Sequence, residues 1–191
     1  MDIEYLKSAK TRKIGKTIEF YDEINSTHIY AKENIDNLND GTVILADKQT
    51  AGKGTKGRKW YTGTGLNIAM TIILKPKCEL DKISTLTVDT AEIVRKTIKE
   101  LYNYELTIKE PNDLMINGKK IAGILTESNS MGNNLNYIIL SMGFNVNEDD
   151  FNEETSNIAT SLKREFKKEF TREEIILHII ENLDKYYILN I

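Results

Sequence analysis

Gly52, Gly54 and Gly57 interrupt a run, residues 49–60 (Q-T-A-G-K-G-T-K-G-R-K-W), that also carries Lys53, Lys56, Arg58 and Lys59 and no acid. Glycine lets backbone come close to a ligand and turn through positive φ, so successive N–H groups can converge on an anion. Four cations on so adaptable a backbone suit a phosphate or a carboxylate; taken alone, such a loop reads equally well as a solvated hairpin tip. The glycines also spell G-x-G-x-x-G after an apparent strand at 42–47. Residues 58–63 behind them form no amphipathic helix, and that fingerprint needs a helix N-terminus for the pyrophosphate, which excludes a Rossmann site. A second stretch, residues 109–127 (K-E-P-N-D-L-M-I-N-G-K-K-I-A-G-I-L-T-E), sets Asn112 and Asp113 before a hairpin and Lys119 and Lys120 just past its tip. Ala122-Gly123 then lets a ligand approach the strand. Each feature alone has a plain reading as turn or solvated tip; two such stretches in one chain point to anion chemistry.

The elements that must hold these residues can be read along the chain. Residues 18–21 read as a short strand. Ser26-Thr27 gives N-cap chemistry to a helix with Ile29, Ala31, Ile35 and Leu38 on one side. Residues 42–46 (T-V-I-L-A) lead as a strand into the glycine loop, and the apolar run 66–74 suits a strand covered on both faces. Leu86, Ala91, Val94, Ile98 and Leu101 mark a helix over 84–102, and 105–109 reads as a strand. Asn117-Gly118 between 114–116 and 120–127 is a strong hairpin signal. Residues 136–146 form another strand, 147–158 a polar loop and 159–166 a short helix. Thr171 opens a last helix lined by Ile175, Ile176, Ile179, Ile180, Leu183 and Tyr187. Helices interspersed with hairpin strands indicate an α+β fold, a mixed sheet backed by helices. Its bounds are taken as a segment 1–17 followed by one domain, 18–191.

With 191 residues, 40% apolar and 29% charged, the chain is long enough for a full core. A net charge of −3 gives no global basic field for nucleic acid, so the glycine loop is a local positive site. Residues 1–16 are too polar for a helix-turn-helix, and no DNA partner is expected. Cys78 stands alone, which fits a reducing compartment, and no apolar run has membrane-spanning length. A cytoplasmic protein without membrane contact is expected.

Together the two stretches resemble the catalytic core of the biotin protein ligases, the biotin–[acetyl-CoA-carboxylase] ligases, whose patterns are G-R-G-R-x-G-R-x-W and K-W-P-N-D followed by K-x-x-G-I. Ser26-Thr27, Gln49, Gly143-Phe144-Asn145 and 159–162 (A-T-S-L) match in the family's order, so the resemblance spans about 18–187. It implies a class II synthetase-like biotin/lipoate ligase catalytic domain. Its implied activity joins biotin to ATP as biotinyl-5′-AMP and passes the biotinyl group to a lysine of a biotin carboxyl carrier domain. By the resemblance, Ser26, Thr27, His28, Gln49, Gly52, Lys53, Gly54, Thr55 and Gly123 serve biotin. Lys56, Arg58, Trp60, Asn112 and Asn145 serve the nucleotide; Lys120, Arg58 and Asp113 are catalytic, with Asp113 reaching Mg²⁺ indirectly. The strand at 66–74 would floor the biotin cleft. Self-association through a sheet edge is left open.

The sequence departs from the family pattern in four places: the arginine pair, the residue after Ser-Thr, the residue before Pro-Asn-Asp, and the Ser-Pro after the tryptophan. Lys53 and Thr55 stand where it has arginines, His28 where it has asparagine, Glu110 where it has tryptophan, and Thr62-Gly63 where it has Ser-Pro. Threonine removes a bidentate anion clamp outright. Glutamate puts a carboxylate where an apolar wall is expected, costly unless paired or solvated, and His28 reads as a polar helix-start residue. These departures keep two alternatives: a ligase for another acid such as lipoate or octanoate, and a non-catalytic module that binds biotin or its adenylate. The family's N-terminal DNA-binding and small C-terminal domains are expected to be absent.

Overall fold

The computed structural model describes residues 1–191 except Thr62 and Glu154; the departure at Thr62 therefore lies outside the described residues. Seven strands form one mixed sheet: β1 (Ile18–Ile24), β2 (Val43–Gln49), β3 (Ile68–Leu74), β4 (Thr107–Lys109), β5 (Asp113–Ile116), β6 (Lys119–Met131) and β7 (Asn134–Phe144). Their spatial order is β1-β2-β3-β7-β6-β5-β4. Among these strands, as far as the described residues go, β1 and β2 pair in parallel, joined by α2 (Thr27–Glu33), and the other neighbours are antiparallel.

The two faces of this sheet differ in kind. Val43, Leu45, Met70, Ile72, Leu140 and Met142 point into the main core, which α3 (Leu86–Tyr102) and α5 (Arg172–Asn190) cover. In α5, Ile175, Ile176, Ile179, Ile180 and Leu183 keep a helical spacing and are buried, each worth about 1.5–3 kcal/mol. The opposite face packs Ile44, Ile73 and Ile139 against Ala31 and Leu38, in and just beyond α2. β3 is buried at all seven positions because both its faces are covered. Beyond those isoleucines, the same face carries small and polar side chains. Ala69 pairs with Gly143 and Gly143 with Gly123, while Thr71 pairs with Ser141 and Ser141 with Leu125. Short side chains in register leave a hollow there, and the glycine loop closes over it.

Residues 1–17 are folded onto the domain. The short α1 (Ile3–Lys7) buries Leu6, Ile14 is also buried, and Asp184 of α5 accepts the backbone N–H groups of Arg12, Lys13 and Ile14 at 2.7–2.8 Å. The Asn117-Gly118 turn has φ of 49° and 78°, the left-handed pair that a two-residue hairpin requires. No helix among the described residues is long and apolar enough to cross a membrane.

Several elements differ from their sequence-level bounds. β1 runs on to Ile24, β2 to Gln49 and β6 to Met131. The last helix of the loop region is only α4 (Leu162–Phe166), capped by Ser161, whose Oγ accepts the Arg164 N–H at 3.0 Å. Neither Ser26 nor Thr171 caps its helix with its side chain.

Candidate active site

The run from Gly52 to Trp60 forms a small hairpin. The Trp60 N–H donates to the Gly52 carbonyl at 2.9 Å and the Gly54 N–H to the Arg58 carbonyl at 2.8 Å. Its tip is the 3-10 turn Thr55–Gly57, with Lys56 and Gly57 at φ 56° and 74°. Arg58 folds back on this tip: Nη2 donates to Thr55 Oγ1 at 2.7 Å and Nε to the Thr55 carbonyl at 3.2 Å. The hydroxyl standing where the family has arginine is thus occupied in orienting the next arginine.

From the end of this hairpin the Trp60 indole lies on the sheet. A Cβ at Gly143 would stand 2.2 Å from indole Cε2, so only glycine admits the ring there. Lys120 Nζ sits 5.4 Å from the indole centroid and 2.5 Å from Asp113 Oδ1. Asp113 opens β5 and Lys120 follows the hairpin on β6, so the Asn117-Gly118 turn brings the pair together. The Lys120 strand is also pinned from outside, its N–H donating to the Ile158 carbonyl at 2.8 Å and its carbonyl accepting from the Thr160 N–H at 2.9 Å.

Two cavities meet at this point. One, of about 30 Å³, lies over the hollow and is lined by Ser26, Thr27, His28, Gln49, Lys53 and Lys120, among others. That is room for about two water molecules, so a larger ligand requires the hairpin and indole to shift outward. The second, about 160 Å³, lies on the far side of Trp60 among Arg58, Tyr61, Asn145, Phe151 and Ile158. Lys120, Trp60, Gly54 and Thr55 line both. A carboxylate in the first cavity and a phosphate in the second would meet at the Lys120 ammonium.

Polar groups furnish the first cavity. Gln49 Oε1 accepts from the Thr27 N–H at 2.9 Å and from its Oγ1 at 3.2 Å. Thr27 Oγ1 accepts from Thr71 Oγ1 at 2.9 Å; Thr71 meets Ser141 Oγ at 2.9 Å, and Ser141 meets His28 Nδ1 at 2.8 Å. His28 Nε2 reaches Glu127 Oε2 at 3.1 Å, and Lys32 holds the other Glu127 oxygen. The Lys32 ammonium, then the histidine, draws the Glu127 carboxyl below its usual range. Ser26 Oγ and Trp60 Nε1 are buried without a partner among the described residues. Both suit hydrogen bonding to something placed in the site, because an orphaned buried polar group is costly.

The residues singled out in the sequence largely converge. Ser26, Thr27, His28, Gln49, Lys53, Gly54, Thr55, Trp60, Asn112, Lys120 and Gly123 surround the first cavity; Arg58 and Asn145 line the second. Lys56 and Asp113 instead face an open groove with Arg58, Lys109 and Glu110. Gly52 packs on the Trp60 carbonyl rather than on a cavity. Asn112 is partly spent on the sheet, donating to the Ile124 carbonyl at 2.9 Å, and Asn145 on the Thr160 carbonyl at 3.1 Å.

One expectation needs correcting. Among the described residues, β3 contributes no wall to the first cavity; β6 and β7 floor it, and Thr71 stands behind. His28 does stand in the first turn of α2, and there it is a buried member of a hydrogen-bonded chain. Of the alternatives left for Glu110, the solvated one is observed: it is exposed in the open groove and imposes no buried charge on the site. Ser141, Thr71 and Glu127 were not foreseen. The alternation of strand residues placed Ser141 and Gly143 on one face, the only signal available.

A model of the biotin/lipoate A/B protein ligase family matches residues 20–145. The chain belongs to this family. It is similar to the bifunctional ligase/repressor BirA of Bacillus subtilis, 38% identical over 181 residues that make up 93% of this chain and 56% of that protein. It is 32% identical over 124 residues to the biotin–[acetyl-CoA-carboxylase] ligase of Paracoccus denitrificans, covering 64% of this chain and 51% of that one. The chain thus spans about half the length of these family members. Among solved structures it resembles the biotin protein ligase of Aquifex aeolicus in complex with biotin and ATP. That match has a TM-score of 0.76 and 27% identity, and covers 89% of this chain and 69% of the other. The fold expected for the family, a mixed sheet with helices, is the one observed.

Proposed function

We propose that this chain is an ATP-dependent biotin protein ligase core acting in the cytoplasm. In the first step a biotin carboxylate oxygen attacks the α-phosphorus of ATP, the bond to pyrophosphate breaks, and biotinyl-5′-AMP forms. In the second, a lysine amine of a biotin carboxyl carrier domain attacks the biotinyl carbonyl, AMP leaves, and the amine loses its proton. The observation that carries this reading is Lys120 on the wall shared by the two cavities. An ammonium at that point binds both anions and the charge that develops between them. Ser26 Oγ, Thr27 and Gln49 offer donors and acceptors for the ureido ring, and Lys53 a charge for the carboxylate. Arg58, held by Thr55, faces the phosphates, and Trp60 and Asn145 the adenylate.

Asp113 is the one family-matched carboxylate beside these groups. No cluster of three or more histidine, cysteine or acidic side chains placed to hold a metal occurs among the described residues. That donor set fits a Mg²⁺ that would be carried mainly by substrate oxygens and water, with Asp113, paired to Lys120, reaching it indirectly, rather than a protein-built cage. When bound, such an ion neutralises phosphate charge.

The reading is tested by separate incubations with ATP, Mg²⁺ and biotin, lipoate or octanoate, with acyl-AMP read by mass spectrometry. Biotinyl-AMP is expected. Lipoyl- or octanoyl-AMP alone would reassign the acid, and no adenylate from any of the three would leave a binding module.

Position 55 gives a second expectation. Because the Thr55 hydroxyl is taken by Arg58, the site lacks one charged donor that an arginine would bring. Thr55→Arg is expected to slow release of biotinyl-AMP about ten- to a hundredfold, the worth of one charge-assisted hydrogen bond, and to reduce stray labelling of bystander lysines. Equal off-rates would mean that Arg58 already does the work.

A further inference from the structure

The hydroxyls between the cavity and α2 obey a strict hydrogen count. Four contacts lie in series: Gln49 Oε1 to Thr27 Oγ1, Thr27 to Thr71, Thr71 to Ser141, and Ser141 to His28 Nδ1. Each needs one hydrogen. The three hydroxyls supply three. Gln49 cannot supply the fourth, because its oxygen is fixed at that end by the Thr27 N–H it accepts at 2.9 Å. The fourth must come from His28 Nδ1. At the other side of the ring, Nε2 faces the Glu127 carboxylate at 3.1 Å and needs a hydrogen of its own. All the contacts are served together only by the imidazolium.

A neutral His28 keeps its hydrogen on Nε2, where the carboxylate accepts it. Nδ1 then accepts from Ser141, and one contact in the series is left without a hydrogen. Rotation of the three hydroxyls passes that gap to the cavity end, between Thr27 Oγ1 and Gln49 Oε1, whose contact at 3.2 Å is the longest of the four. Two oxygens facing each other there accept an N–H donor from a ligand. With the imidazolium present, the Thr27 hydroxyl hydrogen already fills the place.

We propose that His28 is a positioning residue whose Nδ1 proton and a ligand N–H at Thr27 exclude one another, so that a cyclic urea binds with release of a proton. The inference rests on the ligase reading above for its ligand. The charged and titratable groups nearest the ring come from several elements. Glu127 of β6 faces Nε2, Lys32 lies one turn on in α2, and Tyr137 of β7 stands beside Lys32. Lys53 and Lys120 border the cavity side. The acid–base pair Glu127–Lys32 keeps a carboxylate on Nε2 and so directs every change to Nδ1.

The experiment is calorimetric titration of the full chain with biotin at about pH 5.5 and about pH 8, either side of the ordinary histidine range, in buffers of different ionisation heat. The dissociation constant is expected to be about five- to tenfold weaker at the lower pH, the worth of one hydrogen bond, with a proton released on binding. His28→Asn and Ser141→Ala, which remove the end and the middle of the chain, are both expected to bind with no pH slope. Equal dissociation constants at the two values, or a slope that survives in both variants, would overturn the proposal. The relay is also read without biotin from the imidazole nitrogen shifts of His28. Both nitrogens should be protonated below the titration and Nε2 alone above it; a neutral ring protonated on Nδ1 would overturn the hydrogen count. Absence of biotin binding at either pH, with the expected shifts, would instead overturn the ligase reading and leave the count standing.

Discussion

Lys120→Ala is expected to lower biotinyl-adenylate formation by about 10²-fold or more, the scale for losing one charge contact made in the transition state. Biotin affinity should change by far less. The ammonium is held from three directions: Asp113 at 2.5 Å, the Trp60 ring at 5.4 Å, and the Gly123 backbone, where a Cβ would stand 2.9 Å from Nζ. It is therefore set in place before any anion arrives, which is what makes a charge effective on a reacting centre. Lys120→Arg should rescue little, because a planar fork does not fit the space of a point charge between a carboxylate and an indole. The fold should survive, since β6 is fixed by its ladders to β5 and β7, and circular dichroism checks this. Single-turnover adenylate formation measures the effect. An unchanged rate in a folded variant would reduce Lys120 to a structural partner of Asp113.

What the sequence disclosed and what it withheld follow from contact range. The Asn117-Gly118 turn was legible because two residues with positive φ are chemically distinctive. β3 was legible because a strand covered on both faces is apolar throughout. The convergence of the two motif stretches was legible only through the family resemblance; no local pattern says that Trp60 lies against Gly143. Strand ends were misplaced where polar residues continue a ladder, as in β6, whose outer half reads Ser128-Asn129-Ser130 yet pairs with β7. The His28 chain was illegible because its links join residues 44, 70 and 113 positions apart. Serine and threonine at such positions look like ordinary strand residues until the register is known. Ser26 looked like a cap, yet its hydroxyl makes no cap bond and, among the described residues, has no partner on the cavity wall, since an N-cap preference names a residue type and not its bond.

Gly143→Ala is expected to dislodge Trp60 and to cost adenylate formation about ten- to a hundredfold. The added Cβ would lie 2.2 Å from indole Cε2, 2.4 Å from Nε1 and 2.7 Å from Cδ2, all under any real contact distance. One side must yield. Gly143 is pinned between Ala69 of β3 and Gly123 of β6 in the middle of the sheet. Trp60 ends a hairpin whose hydrogen bonds are largely its own, so the indole moves. Its removal uncovers the wall common to both cavities and takes the ring from beside Lys120. Burying an aromatic side chain is worth about 1.5–3 kcal/mol, which converts to the stated loss. The chain has one tryptophan, so its fluorescence reports this movement directly: emission should shift to the red without added ligand. Gly123→Ala is the control. There the nearest atoms are Nζ and Cε of Lys120, at 2.9 and 3.0 Å, and the indole is 3.3 Å away. A flexible ammonium can retreat where a ring on a closed hairpin cannot, so turnover should fall while emission holds. Unchanged emission and turnover in Gly143→Ala would mean that the indole is not seated on that strand, and the division of the site into two cavities would go with it.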